Sequence, residues 1–326
     1  MIQNKILNKA NFKIWSRLGM RATFGIAALE LGNTVDKLMV LTGDVSTSAG
    51  LDRFKKKFPD KYLDVGIAEQ NLIGIATGLS SCGYNVFTTT FATFQTMRCF
   101  EQIKVNAGYM KKKITMVGLA SGVVLGALGF THCCIEDISL MRSIPGMTVL
   151  SPADCGEVAK STFAAAKHNG PVYIRLTGSS NNPVVYNDDY QFEIGKCNKL
   201  QDGDDITIFA TGSMVSNSIK ASEILKKQNI KAAVINVHTI KPIDQEAINK
   251  YSENKSFIIT VEEHSAIGGL SSAVSEANAL LPNKARHLSI SLPDKYFNTG
   301  GEYLDLLKKY NLEAEGIANL IKKNLT

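Results

Sequence analysis

Four short stretches of the chain carry the residue types that proton exchange and ring binding require. In Asp64-Val65-Gly66-Ile67-Ala68-Glu69-Gln70-Asn71 one carboxylate, Glu69, stands where a helix should begin, after an extended segment and a glycine. A helix start favours negative charge, so Glu69 reads either as a helix-end charge or as a proton-exchanging group. Phe91 and Phe94 are three residues apart and share a helical face. Such a pair serves either as core or as the apolar wall on which a flat heteroaromatic ring stacks. His132, in Gly129-Phe130-Thr131-His132, can exchange a proton near neutral pH, or be a satisfied structural histidine. Asp44, in Gly43-Asp44-Val45-Ser46-Thr47-Ser48, follows the first strand. That is where α/β folds place ligand groups, and where an aspartate also closes turns with an Asx-type bond.

The elements that must position these residues alternate between short β-rich runs and amphipathic segments, the pattern of a parallel sheet with helices on its faces. The first part predicts strands at 37–41, 86–90, 114–119, 147–150 and 172–176, separated by helices at 20–31, 70–80, 94–110, 136–143 and 155–168. Its strands are nearly continuous apolar runs, as expected when both sheet faces are covered. Apolar periodicity lapses in the turn clusters Ser179-Ser180-Asn181-Asn182-Pro183 and Asp202-Gly203-Asp204-Asp205. The alternation then restarts with strands at 206–210, 231–237, 257–261 and 288–292, and helices at 215–227, 270–280, 303–310 and 315–323. The expectation is an α/β protein of two domains, 1–185 and 204–326, joined by a linker at 186–203.

Composition narrows the class of partner. A formal charge of +6 is modest for 326 residues, and Lys55-Lys56-Lys57 and Lys111-Lys112-Lys113 adjoin turn-like segments. They read as solvated loops, which argues against a nucleic-acid surface. The six cysteines form no Cys-x-x-Cys and no zinc-like pairing with histidine, as suits free thiols in a reducing compartment. Neither a continuous apolar core near the N-terminus nor a run of eighteen apolar residues occurs, so a cytoplasmic chain without a membrane span is expected.

Taken together, these motifs resemble the pyrimidine-binding domain of thiamine-diphosphate enzymes, and most closely the C-terminal half of transketolase. The resemblance implies a fold of two α/β domains, each a mostly parallel sheet with helices on both faces. It implies that Glu69 touches the cofactor's aminopyrimidine and starts catalysis. Phe91 and Phe94 would cradle that ring, with Met97 where a third aromatic is common, and Asp44 would lie near the thiazolium. Arg21, Ser48 and Arg175 match positions that bind substrate phosphate, and His132 matches the catalytic histidine of the substrate channel. Arg98 with Glu101-Gln102-Ile103-Lys104 resembles the segment of two-subunit transketolases and is read as helix and subunit contact. Val261-Glu262-Glu263-His264 and Gly268-Gly269-Leu270 resemble the family's C-terminal domain, which is usually structural.

Two departures bear on substrate. Ala127-Leu128-Gly129 replaces the family's Glu-Asp-Gly, and Ala120 stands where an upstream histidine is usual. A pocket without those polar groups implies a two-carbon donor or an acceptor other than ordinary pentose phosphates, such as pyruvate or a modified sugar. A further gap concerns the diphosphate. Gly43-Asp44-Val45 with Asn71 imitates the Gly-Asp-Gly and asparagine that hold magnesium, but the third glycine is missing. The resemblance therefore implies a split transketolase subunit that carries no metal ligand. Its partner would be an N-terminal subunit holding the diphosphate and magnesium, with two copies of each chain and activity only in the complex. Two other readings stay open: the beta subunit of a 2-oxoacid dehydrogenase-like or pyruvate-using enzyme, and a non-catalytic assembly partner. The ending Tyr296-Phe297-Asn298-Thr299-Gly300-Gly301 favours transketolase.

Overall fold

The structure, a computed structural model, describes residues 6–186, 190–282, 284–296 and 300–325. Phe297, Asn298 and Thr299 of the terminal motif lie outside the described residues. Its strands are β1 (Leu38–Thr42), β2 (Tyr62–Asp64), β3 (Asn85–Phe91), β4 (Ile114–Leu119), β5 (Thr148–Leu150) and β6 (Val172–Arg175) in the first half. The second half contributes β7 (Asn198–Gln201), β8 (Ile206–Ala210), β9 (Ala232–Asn236), β10 (Thr239–Lys241), β11 (Phe257–Ser265) and β12 (Arg286–Leu292).

These strands form two mostly parallel sheets covered by helices, as the sequence pattern predicts. The first runs in the order β10-β5-β6-β4-β3-β1-β2, the second β12-β11-β8-β9-β7. The central strands β3, β4 and β8 are buried along most of their length, which is why they read as unbroken apolar runs. Antiparallel pairing is confined to edges: β10 on β5 and β7 on β9. The edge strand β7 falls inside the stretch read as linker. More consequentially, β10 belongs to the second half by sequence but completes the first sheet.

Several elements depart from the sequence reading. A first helix, Lys9–Leu18, forms behind an Asn8 cap whose side chain accepts the Asn11 N–H at 3.0 Å, and it buries Phe12 and Trp15. The single helix expected over 94–110 is broken into Ala92–Thr96, Phe100–Gln102 and a π-helical stretch at Ile103–Tyr109. Between the first two, residues 97–99 form a turn with Cys99 at φ −122°, ψ 25°. The Cys99 thiol is buried and bonds back to the Gln95 carbonyl, which closes the first segment early.

The helix Met20–Thr34 comes unusually close to the loop after β1. A Cβ on Gly25 would lie 2.1 Å from the Gly50 carbonyl oxygen, so only glycine admits this approach. The contact fixes the loop 43–50 against the helix start that carries Arg21.

Near the junction of the halves, the His238 carbonyl accepts the Ser151 N–H at 2.8 Å, just before β10. The His238 ring is buried against Phe192, its Nδ1 pairs with the Thr239 hydroxyl, and Nε2 has no partner. Burial pushes its pKa down to about 4, below the unfolded value near 6.5. A depressed folded pKa gives stability that is present above about pH 6.5 and lost as pH falls toward 4. The variant His238→Asn, compared with wild type by urea midpoints at pH 6.5 and 4.5, should lose less stability between those pH values. Equal losses would show that His238 does not contribute to acid lability.

Candidate active site

Asp44, Glu69 and Phe91 stand where β1, β2 and β3 end. Gly43 follows β1, and a Cβ built there would lie within 4 Å of the Gly66 carbonyl, Glu69 Cγ and Thr90 Cβ. Three strand-end segments therefore converge on one point. Asp44 holds a left-handed backbone, φ 58°, and its N–H donates to Asp64 Oδ1 at 2.9 Å; the Gly66 N–H donates to the same oxygen at 3.0 Å. The turn-closing aspartate is thus Asp64, and the Asp44 side chain stays exposed. Asp64 escapes the sequence reading although it stands in the same run as Glu69.

Glu69 opens the helix Glu69–Ser81 and is 3% exposed. A carboxylate that deep needs a donor, and the Arg98 guanidinium supplies it, with Nη1 2.8 Å from Oε1. Arg98 also lies over the Phe94 ring, 4.0 Å from its centroid. Phe91 and Phe94 meet edge to face at 6.5 Å, and His132 packs edge-on to both, at 6.3 and 5.5 Å. The result is an apolar wall with a carboxylate on one side and an imidazole on the other. His132 is half-buried, and its Nδ1 lies 3.1 Å from the Thr131 hydroxyl. Met97 is exposed in the turn after Phe94.

An aminopyrimidine fits this arrangement. It needs a stacking face, a carboxyl group that can share a proton with a ring nitrogen and polar partners near its edge, and the Thr90 hydroxyl is buried here without a partner. Arg21 is half-buried and has no acidic partner among the described residues, with burial lowering its pKa. Its backbone adjoins Gly50, two residues from Ser48, so Arg21 and Ser48 stand on neighbouring segments.

Arg175 does not join them. Although it ends β6, it is 1% exposed, and its Nε donates to both oxygens of Asp137 at 3.0 and 2.9 Å. Its Nη2 donates to the Glu263 carbonyl at 2.7 Å. Burial would lower its pKa, but Asp137 and Glu263 outweigh burial and hold it raised. With Nε and Nη2 held by buried partners and the side chain closed off, Arg175 is not presented to a substrate phosphate in this structure.

The carboxylate of Glu263, from β11, reaches the loop that carries His132. Its Oε1 accepts the Val123 N–H at 2.8 Å, while Oε2 accepts the Ser213 and Tyr303 hydroxyls at 2.6 and 2.7 Å. Gly122 and Cys134 exchange backbone hydrogen bonds at 2.7 and 2.9 Å, closing the loop at its base. His264 is fully buried beside this network and burial pushes its pKa down to about 4. Within the loop Leu128 is 59% exposed, while Ala120 just before it is buried with φ 53°.

Residues 16–182 match the transketolase pyrimidine-binding domain, and residues 195–317 match the transketolase C-terminal domain. The chain belongs to the transketolase family. It is 39% identical to a putative transketolase C-terminal section of Methanocaldococcus jannaschii over 94% of this chain and 96% of that one. It is 36% identical to one subunit of the apulose-4-phosphate transketolase of Phocaeicola vulgatus, covering 92% and 95%. Against the human transketolase it is 32% identical over 97% of its own length but spans 50% of that protein. Among solved structures, a split-gene transketolase described as an inactive beta4 tetramer matches with a TM-score of 0.83 and 36% identity, over 93% of this chain and 97% of that one. This transketolase-family chain thus corresponds to the C-terminal section of longer relatives, and the family is thiamine diphosphate-dependent.

Because Arg175 is buried against Asp137, Arg175→Met should leave Asp137 buried without its counter-charge, and cost about 3–5 kcal/mol of stability. Denaturant unfolding of the variant measures this. A stable variant with only a raised KM would restore the substrate role.

Proposed function

We propose that this chain is the C-terminal subunit of a split transketolase, a thiamine-diphosphate-dependent transferase of aldehyde and ketone groups. It moves a two-carbon unit from a ketose or 2-oxo donor to a sugar acceptor. The observation that carries this reading is the buried carboxylate of Glu69, joined through Arg98 to the Phe94 ring that packs with Phe91 and His132. The diphosphate and its magnesium fall to a partner N-terminal subunit, in an assembly of two copies of each chain. Two observations support that division. The chain spans half of a one-chain relative, and its near full-length relatives are described as a C-terminal section and as a transketolase subunit. The cytoplasm is the proposed location; no helix among the described residues is long and apolar enough to cross a membrane.

In the complex the cofactor supplies a carbon nucleophile and an electron sink. The chain's own residues supply orientation and proton transfer. The Glu69 carboxyl group would share a proton with a ring nitrogen, and Phe91 and Phe94 would hold that ring in place and keep water from it. Met97 flanks the ring and Asp44 stands near the thiazolium side. Paired at Nδ1, His132 keeps Nε2 for a substrate hydroxyl, with Arg21 and Ser48 as the phosphate contacts. On the donor side, Ala120 and Leu128 offer no hydrogen bonds, which favours a donor or acceptor lacking the usual hydroxyl pattern. Relatives named for apulose 4-phosphate and for 6-deoxy-6-sulfo-D-fructose are consistent with a modified sugar.

Replacing Glu69 by Ala in the reconstituted complex should abolish transfer from hydroxypyruvate while the unfolding midpoint changes little. Turnover above a small residue of wild type sinks the assignment. Profiling hydroxypyruvate, pyruvate and sugar phosphates identifies the donor.

A further inference from the structure

The contact that completes Glu69 in this chain has the same requirements as the ring that Glu69 is proposed to bind. Arg98 offers a flat, delocalised group that stacks on Phe94 at 4.0 Å and donates an N–H to Glu69 Oε1 at 2.8 Å. An aminopyrimidine that uses the same Phe94 face and the same Glu69 oxygen, Oε1, must lie where those two conditions are met together. The Arg98 guanidinium already lies there, and two planar groups cannot share one face at van der Waals distance.

Resting on the cofactor reading above, we propose that Arg98 is a cofactor-site residue that stands in for the aminopyrimidine and swings out when the cofactor enters. The local backbone permits that exchange. Arg98 lies in the turn 97–99 between Ala92–Thr96 and Phe100–Gln102, so its side chain can leave without unwinding a helix. Its side chain is 43% exposed, which leaves a path to solvent, whereas Glu69 is nearly closed off. Among the described residues Glu69 makes no other side-chain hydrogen bond, so the buried carboxyl group keeps one hydrogen-bonding partner before and after the exchange. Arg98 thus keeps the half-site shaped and charge-balanced, and the cofactor must compete with it.

Competition from a partly exposed ion pair with a stacking contact weakens apparent cofactor affinity by roughly tenfold. The test is calorimetric titration of thiamine diphosphate, with magnesium, into the complex of this chain with its diphosphate-domain partner. Wild type, Arg98→Ala and Arg98→Lys are compared. The proposal expects Arg98→Ala to bind roughly tenfold tighter, and Arg98→Lys, which keeps the charge but has no flat face, to fall between. Should Arg98→Ala fail to assemble, Arg98→Gln replaces it with the same expected direction. Unchanged or weaker binding in the variant overturns the proposal, since Arg98 would then be neutral toward the cofactor or would help to hold it. A wild-type complex that binds no thiamine diphosphate overturns the cofactor reading itself, and this inference with it.

Discussion

The pairing of Arg175 with Asp137, capped by the Glu263 carbonyl, is the interaction on which the arrangement of the molecule depends. Arg175 ends β6 in one sheet, Asp137 opens the helix Asp137–Ser143, and Glu263 comes from β11 in the other sheet. Desolvating such charges costs several kcal/mol each, and attraction repays this only when every donor and acceptor is used. Here the use is thorough. Asp137 also accepts the Tyr173 hydroxyl at 2.8 Å, and the Glu263 carboxylate receives three further donors. Burial pushes the Glu263 carboxyl up while Arg175 opposes the push. A network of this kind is intolerant of rotation between the halves, because any slip strands a buried charge.

That rigidity reaches the site through the loop from Gly122 to Cys134. The loop hangs on Glu263 at Val123, and Gly126 is covered by Leu306 and bonded by the Gly301 N–H at 3.2 Å. The second half therefore helps to hold the segment that presents His132 to Phe91 and Phe94. The carboxylate side of the site has a separate origin, in the convergence of Gly43, Gly66 and Thr90 around Glu69. Catalytic geometry in this chain depends on both constructions staying in register.

Much of this is legible in the residues. The apolar runs Ile114–Leu119 and Ile206–Ala210 are strands to the residue, because central parallel strands must be apolar on both faces. Phe91, Phe94 and His132 pack against one another, and Arg98 links Glu69 to Phe94. The short strands Tyr62–Asp64, Asn198–Gln201 and Thr239–Lys241 escape a sequence reading, since edge strands carry polar residues and little periodicity. Arg175 misleads for a physical reason. An arginine at a strand end looks the same in sequence whether it faces a ligand or a carboxylate 38 positions away, and Asp137 settles the matter only in space. The partnership of Arg98 with Glu69 is equally hidden, because it depends on a helix breaking at Cys99.

The strand β10 changes what a domain means in this protein. Its hydrogen bonds to β5 seal one side of the sheet that bears Glu69. A fragment trimmed at the sequence joint would keep every residue of the pyrimidine-binding region and still expose β5 as an unguarded rim, open to pairing with other copies and prone to aggregate. Nicking the chain there while leaving both pieces present would be far gentler, for the two could remain clasped through that shared strand. The two modules of the sequence are therefore joined in one sheet rather than folded side by side.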